Sequence, residues 1–198
     1  MTRKLLKFTL AGLLCAAPLA ASSVREVPFD ALSRTATRVV GGEIIGVVSE
    51  VDENGYIYSN VTLLVENAAP RSLEGRPYTF RSMGGEVDGR RMFIQGMPTF
   101  EVGQQVALFL HDSPGTALGP TVGLWQGVFF VSRDKASGKQ VMLDSAGRTL
   151  LGLEGAKLLR GQKPAQASGG AELTLGEGSS AMGMDAFFDK VRAYRSSE

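Results

Sequence analysis

From Arg38 onward the chain is written in short apolar runs broken by turn residues, a pattern that favours strands over helices. Ile44-Ile45-Gly46-Val47-Val48-Ser49-Glu50-Val51 is the first long run, and Asp52-Glu53-Asn54-Gly55 breaks it. The return run, Tyr56 to Glu66, alternates Val61, Leu63 and Val65 with Thr62, Leu64 and Glu66, the period-two pattern of a strand with one buried face. Together they predict a long hairpin. Asn54-Gly55 is the preferred central pair of a type I′ turn, where both residues take positive φ.

Further strands are predicted at Tyr78 to Met83, ending on Gly84-Gly85, and at Arg90 to Gln95 after the turn pair Asp88-Gly89. Gly96-Met97-Pro98 stops the second of these. Gln104 to Leu110 and Thr121 to Arg133 are apolar on both faces, as strands covered from two sides would be. Lys139 to Asp144 and Arg148 to Leu153 complete the set. Two short helices flank the strands. The first begins at Pro28-Phe29-Asp30. The second carries Met184, Phe187, Phe188, Val191 and Tyr194 at helical spacing, with Asp185 near its start and Arg192 and Arg195 near its end. About seven strands joined by tight turns, with no long helix to cover an open sheet, predict a mainly β fold: a small antiparallel OB-like barrel, closed on itself, with a short N-terminal helix and a C-terminal amphipathic helix. Trp125 is expected to fill that barrel. The C-terminal helix is expected to dock on its own domain.

The first residues follow a different rule. Arg3, Lys4 and Lys7 precede an apolar run from Phe8 to Ala17 and small residues at Ala20, Ala21, Ser22 and Ser23, the order of an export signal. The expected organisation is therefore a signal peptide at 1–23, a β-barrel domain at 24–160, a flexible linker rich in Gly, Ala, Ser and Gln at 161–183, and the helix at 184–198. The chain has 21 basic and 20 acidic residues; removing the three basic residues of the leader gives 18 against 20, or −2. That balance argues against a nucleic-acid partner. The single cysteine, Cys15, lies in the leader, so packing and strand pairing must supply the stability. No membrane insertion is expected after cleavage. The expected destination is the periplasm or the medium.

Candidate chemistry is sparse. A nucleophile–histidine pair would have to use His111, the only histidine, which ends an apolar strand beside Asp112 and reads as a solvated loop residue. A zinc site wants several His or Cys ligands, and the chain holds one histidine and one cysteine, the latter in the leader. Asp52-Glu53-Asn54 and Glu86-Val87-Asp88 carry clustered oxygen ligands, but both lie at turns that favour such residues anyway. No catalytic residue, metal or cofactor is expected. Binding candidates are Arg81 and Arg91, which with Arg90 offer a small basic patch on two strands expected to pair. Gly84, Gly85, Met97 and Pro98 stand at strand ends where a partner's backbone can approach closely. Trp125 and Gln126 offer an indole and a carboxamide to orient a ligand.

As a set, Val39-Val40-Gly41-Gly42-Glu43-Ile44, Thr62-Leu63-Leu64-Val65-Glu66, Gly84-Gly85-Glu86, Gly96-Met97-Pro98-Thr99-Phe100, Gly103 to Leu110 and Val122 to Phe129 resemble an uncharacterised family of exported bacterial proteins. The resemblance implies an OB-like five-stranded barrel, similar in outline to the inhibitory domain of tissue inhibitors of metalloproteinases. It also implies company with secreted metalloproteases. Those inhibitors place an N-terminal cysteine amine on the catalytic zinc and rely on disulfides, so that mechanism does not carry over to a mature chain without cysteine. The resulting expectation is an exported, non-enzymatic binding module, a partner or modulator of a secreted metalloprotease. The alternatives are a hydrolase working through carboxylates alone and an envelope component that recognises wall polymer.

Overall fold

The computed structural model describes residues 25–112, 119–164, 172–175 and 180–196; the export-signal reading falls outside them. The fold is mainly β with two helices, α1 (Phe29–Thr35) and α2 (Met184–Arg195), at the positions their sequence patterns predict. The main sheet contains β1 (Arg38–Val51), β2 (Ile57–Ala69), β3 (Pro77–Met83), β6 (Gln105–Leu110), β7 (Val128–Asp134), β8 (Gln140–Asp144) and the two-residue β11 (Glu172–Leu173). Two small hairpins stand apart from it: β4 (Gly85–Val87) with β5 (Arg90–Met92), and β9 (Leu150–Glu154) with β10 (Lys157–Arg160).

The hairpin β1–β2 pairs antiparallel along almost its whole length, from Val39 opposite Ala69 to Val51 opposite Ile57. Its turn differs from the expected type I′, because only Gly55 has positive φ (82°). Asp52 instead accepts from the amides of Asn54 and Tyr56 at 3.0 and 2.8 Å, and Gly55 supplies the left-handed residue after an ordinary turn. Both residues of Asp88-Gly89 do take positive φ, 50° and 74°, so the mirror-image turn lies in the β4–β5 hairpin.

β6 explains the two-sided apolar pattern. Val106, Leu108 and Leu110 face a core with Val40, Ile44, Val61, Leu63, Val65 and Phe80, whereas Ala107 and Phe109 face a second core with Phe29, Phe129, Phe187 and Phe188. The first core lies inside the curl of β1, β2, β3 and β6. The second is covered by α1, α2 and the β9–β10 hairpin, with Phe29, Phe109, Phe129 and Phe187 packed ring against ring.

The sheet does not close into a barrel: its strands run β11–β7–β6–β1–β2–β3, with β8 on β7, and β3 is left at an edge. The two-sided burial that suggested closure comes instead from short helices and a hairpin laid over one face. At the seam the contact passes through side chains, with Arg38 donating to the Tyr78 hydroxyl at 3.1 Å.

The stretch read as a linker is also anchored where it is described. Glu172 and Leu173 pair parallel with Arg133 and Asp134, and Leu173 is buried. Met182 bridges two strands, its carbonyl accepting from the Met142 amide at 2.9 Å and its amide donating to Leu150 at 2.7 Å. α2 follows and buries Met184, Phe187, Phe188 and Val191 against its own domain.

Candidate functional site

A cavity of about 500 Å³ occupies the open mouth of the curled sheet. Its floor comes from inward-facing positions of three strands: Val47 and Ser49 on β1, Ser59 and Val61 on β2, and Ser82 on β3. Its roof comes from the β4–β5 hairpin and the segment 93–101, which crosses the mouth and anchors Phe100 edge-on against Phe80, ring centres 5.3 Å apart.

The floor is more polar than a strand interior needs to be. The Ser49 and Ser59 hydroxyls are 3.0 Å apart, and Ser59 donates to the Gly84 carbonyl at 2.7 Å. Gly84 in turn donates its amide to Ile57 at 2.8 Å, tying the start of the roof to the floor. Gly85 has φ 138°, and a β-carbon there would meet both serine hydroxyls, at 2.4 Å from Ser59 Oγ and 2.5 Å from Ser49 Oγ. The glycine pair therefore lets the roof turn directly over the serines. Met83, Met92 and Met97 add flexible thioether surface, and Phe93 stands at the rim 70% exposed.

Five of the predicted binding residues, Gly84, Gly85, Arg91, Met97 and Pro98, line this cavity. Arg91 is paired there with Glu86 at 3.2 Å. Arg81 is elsewhere. Its guanidinium lies 3.8 Å from the centre of the Tyr58 ring and 3.3 Å from Glu50, on the outer face of the β1–β2–β3 sheet. The expected basic patch is not assembled, because β5 pairs with β4 and not with β3.

Trp125 and Gln126 do not lie in a central strand. Leu124–Gly127 forms a 3₁₀ turn before β7, and the indole is 39% exposed, so Trp125 does not fill a barrel. Gln126 secures the segment ahead of α1: its side-chain oxygen accepts from Val27 at 2.7 Å and its nitrogen donates to the Arg25 carbonyl at 3.2 Å. Both residues line a smaller cavity of about 170 Å³. There the buried Asp144 carboxylate takes hydrogen bonds from Arg148 and Arg160, at 2.8 and 3.0 Å, and from the amides of Ala146 and Arg148. With all these donors satisfied, the cluster fastens β8 to the β9–β10 hairpin.

The serines beneath the β4–β5 hairpin escaped the sequence reading, although a signal for them exists. Ile57, Ser59, Val61, Leu63 and Val65 share one face of β2, and a polar residue in an otherwise buried register marks either a hydrogen-bonded core position or a site. Ser82 stands in the same relation to Phe80 on β3. Phe93 falls inside the strand predicted to run to Gln95, which ends at Met92, whereas Phe100 and Glu101 belong to an irregular segment that no periodicity marks.

Asp134 is the clearest perturbed acid. Hydrogen bonds from the Ser137 hydroxyl and the Leu175 amide hold its carboxyl below the ordinary value of 3.8. Glu66, on an exposed position of β2, moves the other way: partial desolvation raises it first, and the nearby Glu43 after that. Neither residue lines the cavity beneath the β4–β5 hairpin; Asp134 lines another, of about 840 Å³. Among the described residues, no three His, Cys, Asp or Glu gather closely enough to hold a metal ion. No described helix is long and apolar enough to cross a membrane. No family model, curated protein or solved structure matches the chain.

Proposed function

We propose that this chain is an exported, non-enzymatic binding module that receives its partner at the mouth of the curled sheet, and that the partner is an exported protein such as a metalloprotease. One observation carries the reading: the cavity combines a hydroxyl-lined floor with a flexible apolar wall, and its rim presents Phe93 largely to solvent. Such a surface suits a protruding side chain or loop that brings apolar area and one or two hydrogen-bonding groups. A large exposed aromatic beside a concave pocket is also the composition of an interface centre. The test is affinity capture from the exported fraction with the wild type and with Phe93→Asp, followed by assay of any captured protease with and without the protein. A partner retained by the wild type and lost by the variant supports the reading. Equal recovery with both removes the cavity from it.

A second reading, a hydrolase using carboxylates alone, draws support from Glu86 and Glu101, which line the same cavity. Against it stands the ion pair that commits Glu86 to Arg91. Turnover of a glycan that disappears in Glu101→Gln would establish it. An envelope component that recognises wall polymer would instead sediment with purified cell wall.

A further inference from the structure

We infer that the cavity beneath the β4–β5 hairpin takes a lysine side chain of the partner, with its ammonium against Ser49 and Glu101; the inference rests on the reading of that cavity as the binding place. Proton positions carry it. A serine hydroxyl has one proton to give and two lone pairs to offer. The Gly84 carbonyl can only accept, so the Ser59 proton is committed to it at 2.7 Å. The 3.0 Å contact between the Ser49 and Ser59 hydroxyls then has one polarity: Ser49 donates and Ser59 accepts. Both protons are spent inside the protein. What Ser49 has left is lone pairs, so this part of the floor can accept a hydrogen bond and cannot give one.

Gly85 keeps that oxygen uncovered. A β-carbon there would stand 2.5 Å from Ser49 Oγ, so the space its absence leaves is in direct contact with the acceptor. Charge has the same sense. The charged residues of the lining are Glu86, Arg91 and Glu101, one cation against two anions. Glu86 and Arg91 neutralise each other in their ion pair at 3.2 Å. Among the described residues no ion pair or side-chain hydrogen bond engages the Glu101 carboxylate, whose residue bonds to Gln104 through its amide alone. An anionic occupant would thus meet an unbalanced carboxylate above an acceptor. A cation with protons to give meets both needs, and hydrogen bonds from a charged donor are the strong ones.

Between the two cationic side chains the floor decides. The planar fork of arginine matches a bidentate partner, whereas Ser49 offers a single oxygen; an ammonium is compact and turns its three protons freely. The four-carbon stem of lysine also needs apolar company, and Val47, Val61, Met92 and Phe100 line the same cavity.

The test is an NMR titration of the isotope-labelled protein with four blocked amino acids at millimolar concentration: the acetylated methylamides of lysine, norleucine, arginine and glutamate. Binding is followed through the amides of Ser49, Ser59, Gly85 and Glu101. Lysine should bind at least about tenfold more tightly than norleucine, which keeps the stem and lacks the ammonium. Arginine should bind more weakly than lysine, and glutamate should not bind. Ser49→Ala should weaken lysine about tenfold and Glu101→Gln about two- to fivefold, with norleucine unchanged in both. Ser49→Ala leaves Ser59 bonded to Gly84, and Glu101 is exposed, so both variants should fold as the wild type does. Equal affinity for lysine and norleucine, arginine as tight as lysine, or variants that bind as the wild type does would overturn the assignment while leaving the cavity as the binding place. Silence from all four probes also overturns it, and the cavity reading then stands or falls on the Phe93→Asp capture alone.

Discussion

Gly41 on β1 and Phe188 on α2 divide one space between them: a β-carbon on the glycine would lie 2.6 Å from Cε2 of the ring. The missing side chain lets the C-terminal helix bring its aromatic ring against the strand. Gly41→Ala should therefore cost about 1–3 kcal/mol, the usual penalty for overfilling a packed site. Urea unfolding measures it. Phe188→Leu placed in the same background should recover part of the loss, since the two positions are in contact and their effects will not add.

The other end of α2 is fixed by Arg195, whose guanidinium donates to the carbonyls of Ser33, Ala36 and Thr37 at 2.9, 2.5 and 3.1 Å. These carbonyls lie at and just beyond the end of α1, where backbone acceptors lack helical partners. Arg195→Ala should destabilise the fold by about 1.5–3 kcal/mol, the range for hydrogen bonds to a charged group. Lysine should not restore it, because a compact ammonium cannot span three acceptors as the planar fork does. Chemical denaturation of both variants gives the comparison.

At the cavity, Ser59→Ala removes the donor to the Gly84 carbonyl and should cost about 0.5–1.5 kcal/mol, the net worth of a neutral hydrogen bond. Gly85→Ala should do more harm, because it adds strain at φ 138° to a collision with two hydroxyls. If the cavity is the binding site, Gly85→Ala should also weaken partner capture beyond what Ser59→Ala does. Thermal melts and capture from the exported fraction report the two effects separately.

Two carboxylates should give opposite pH signatures. Asp134 is held below its ordinary value in the folded chain, so its stabilisation is complete above that value and is lost as pH falls through the lowered one. Asp134→Asn should thus melt below the wild type at neutral pH, and the gap should close in acid. Glu66 is raised above its ordinary value of 4.5, so it favours the fold below that value and loses its advantage as pH rises through the raised one. Glu66→Gln should gain on the wild type as pH climbs out of the acid range. Melting temperatures taken across the carboxylate range show both trends.

Much of this architecture was legible in the chain. Period-two alternation located β2, both-face apolarity located β6, and helical spacing of Phe187, Phe188 and Val191 located α2 with its buried face. Closure was not legible, because two-sided burial looks the same in a strand whether a sheet or a pair of short helices covers it. Trp125 misled for a related reason: Gly123 at φ 66° starts a 3₁₀ turn inside what reads as a continuous apolar strand. The glycines of the cavity were visible as turn residues, and so was their place at strand ends. Arg81 could not be separated from Arg91, since period and spacing do not say that β5 folds back on β4. The Gly, Ala and Ser bias between 161 and 183 spoke for mobility, yet Leu173 and Met182 are single apolar residues with specific berths, and composition averages them away.

β6 alternates its side chains between the two apolar interiors, one residue to each in turn. Neither compartment can be dissolved while that strand remains in place to nucleate the other. Heating should consequently melt the whole chain in one cooperative step, with the aromatic cluster and the cavity floor lost at the same temperature.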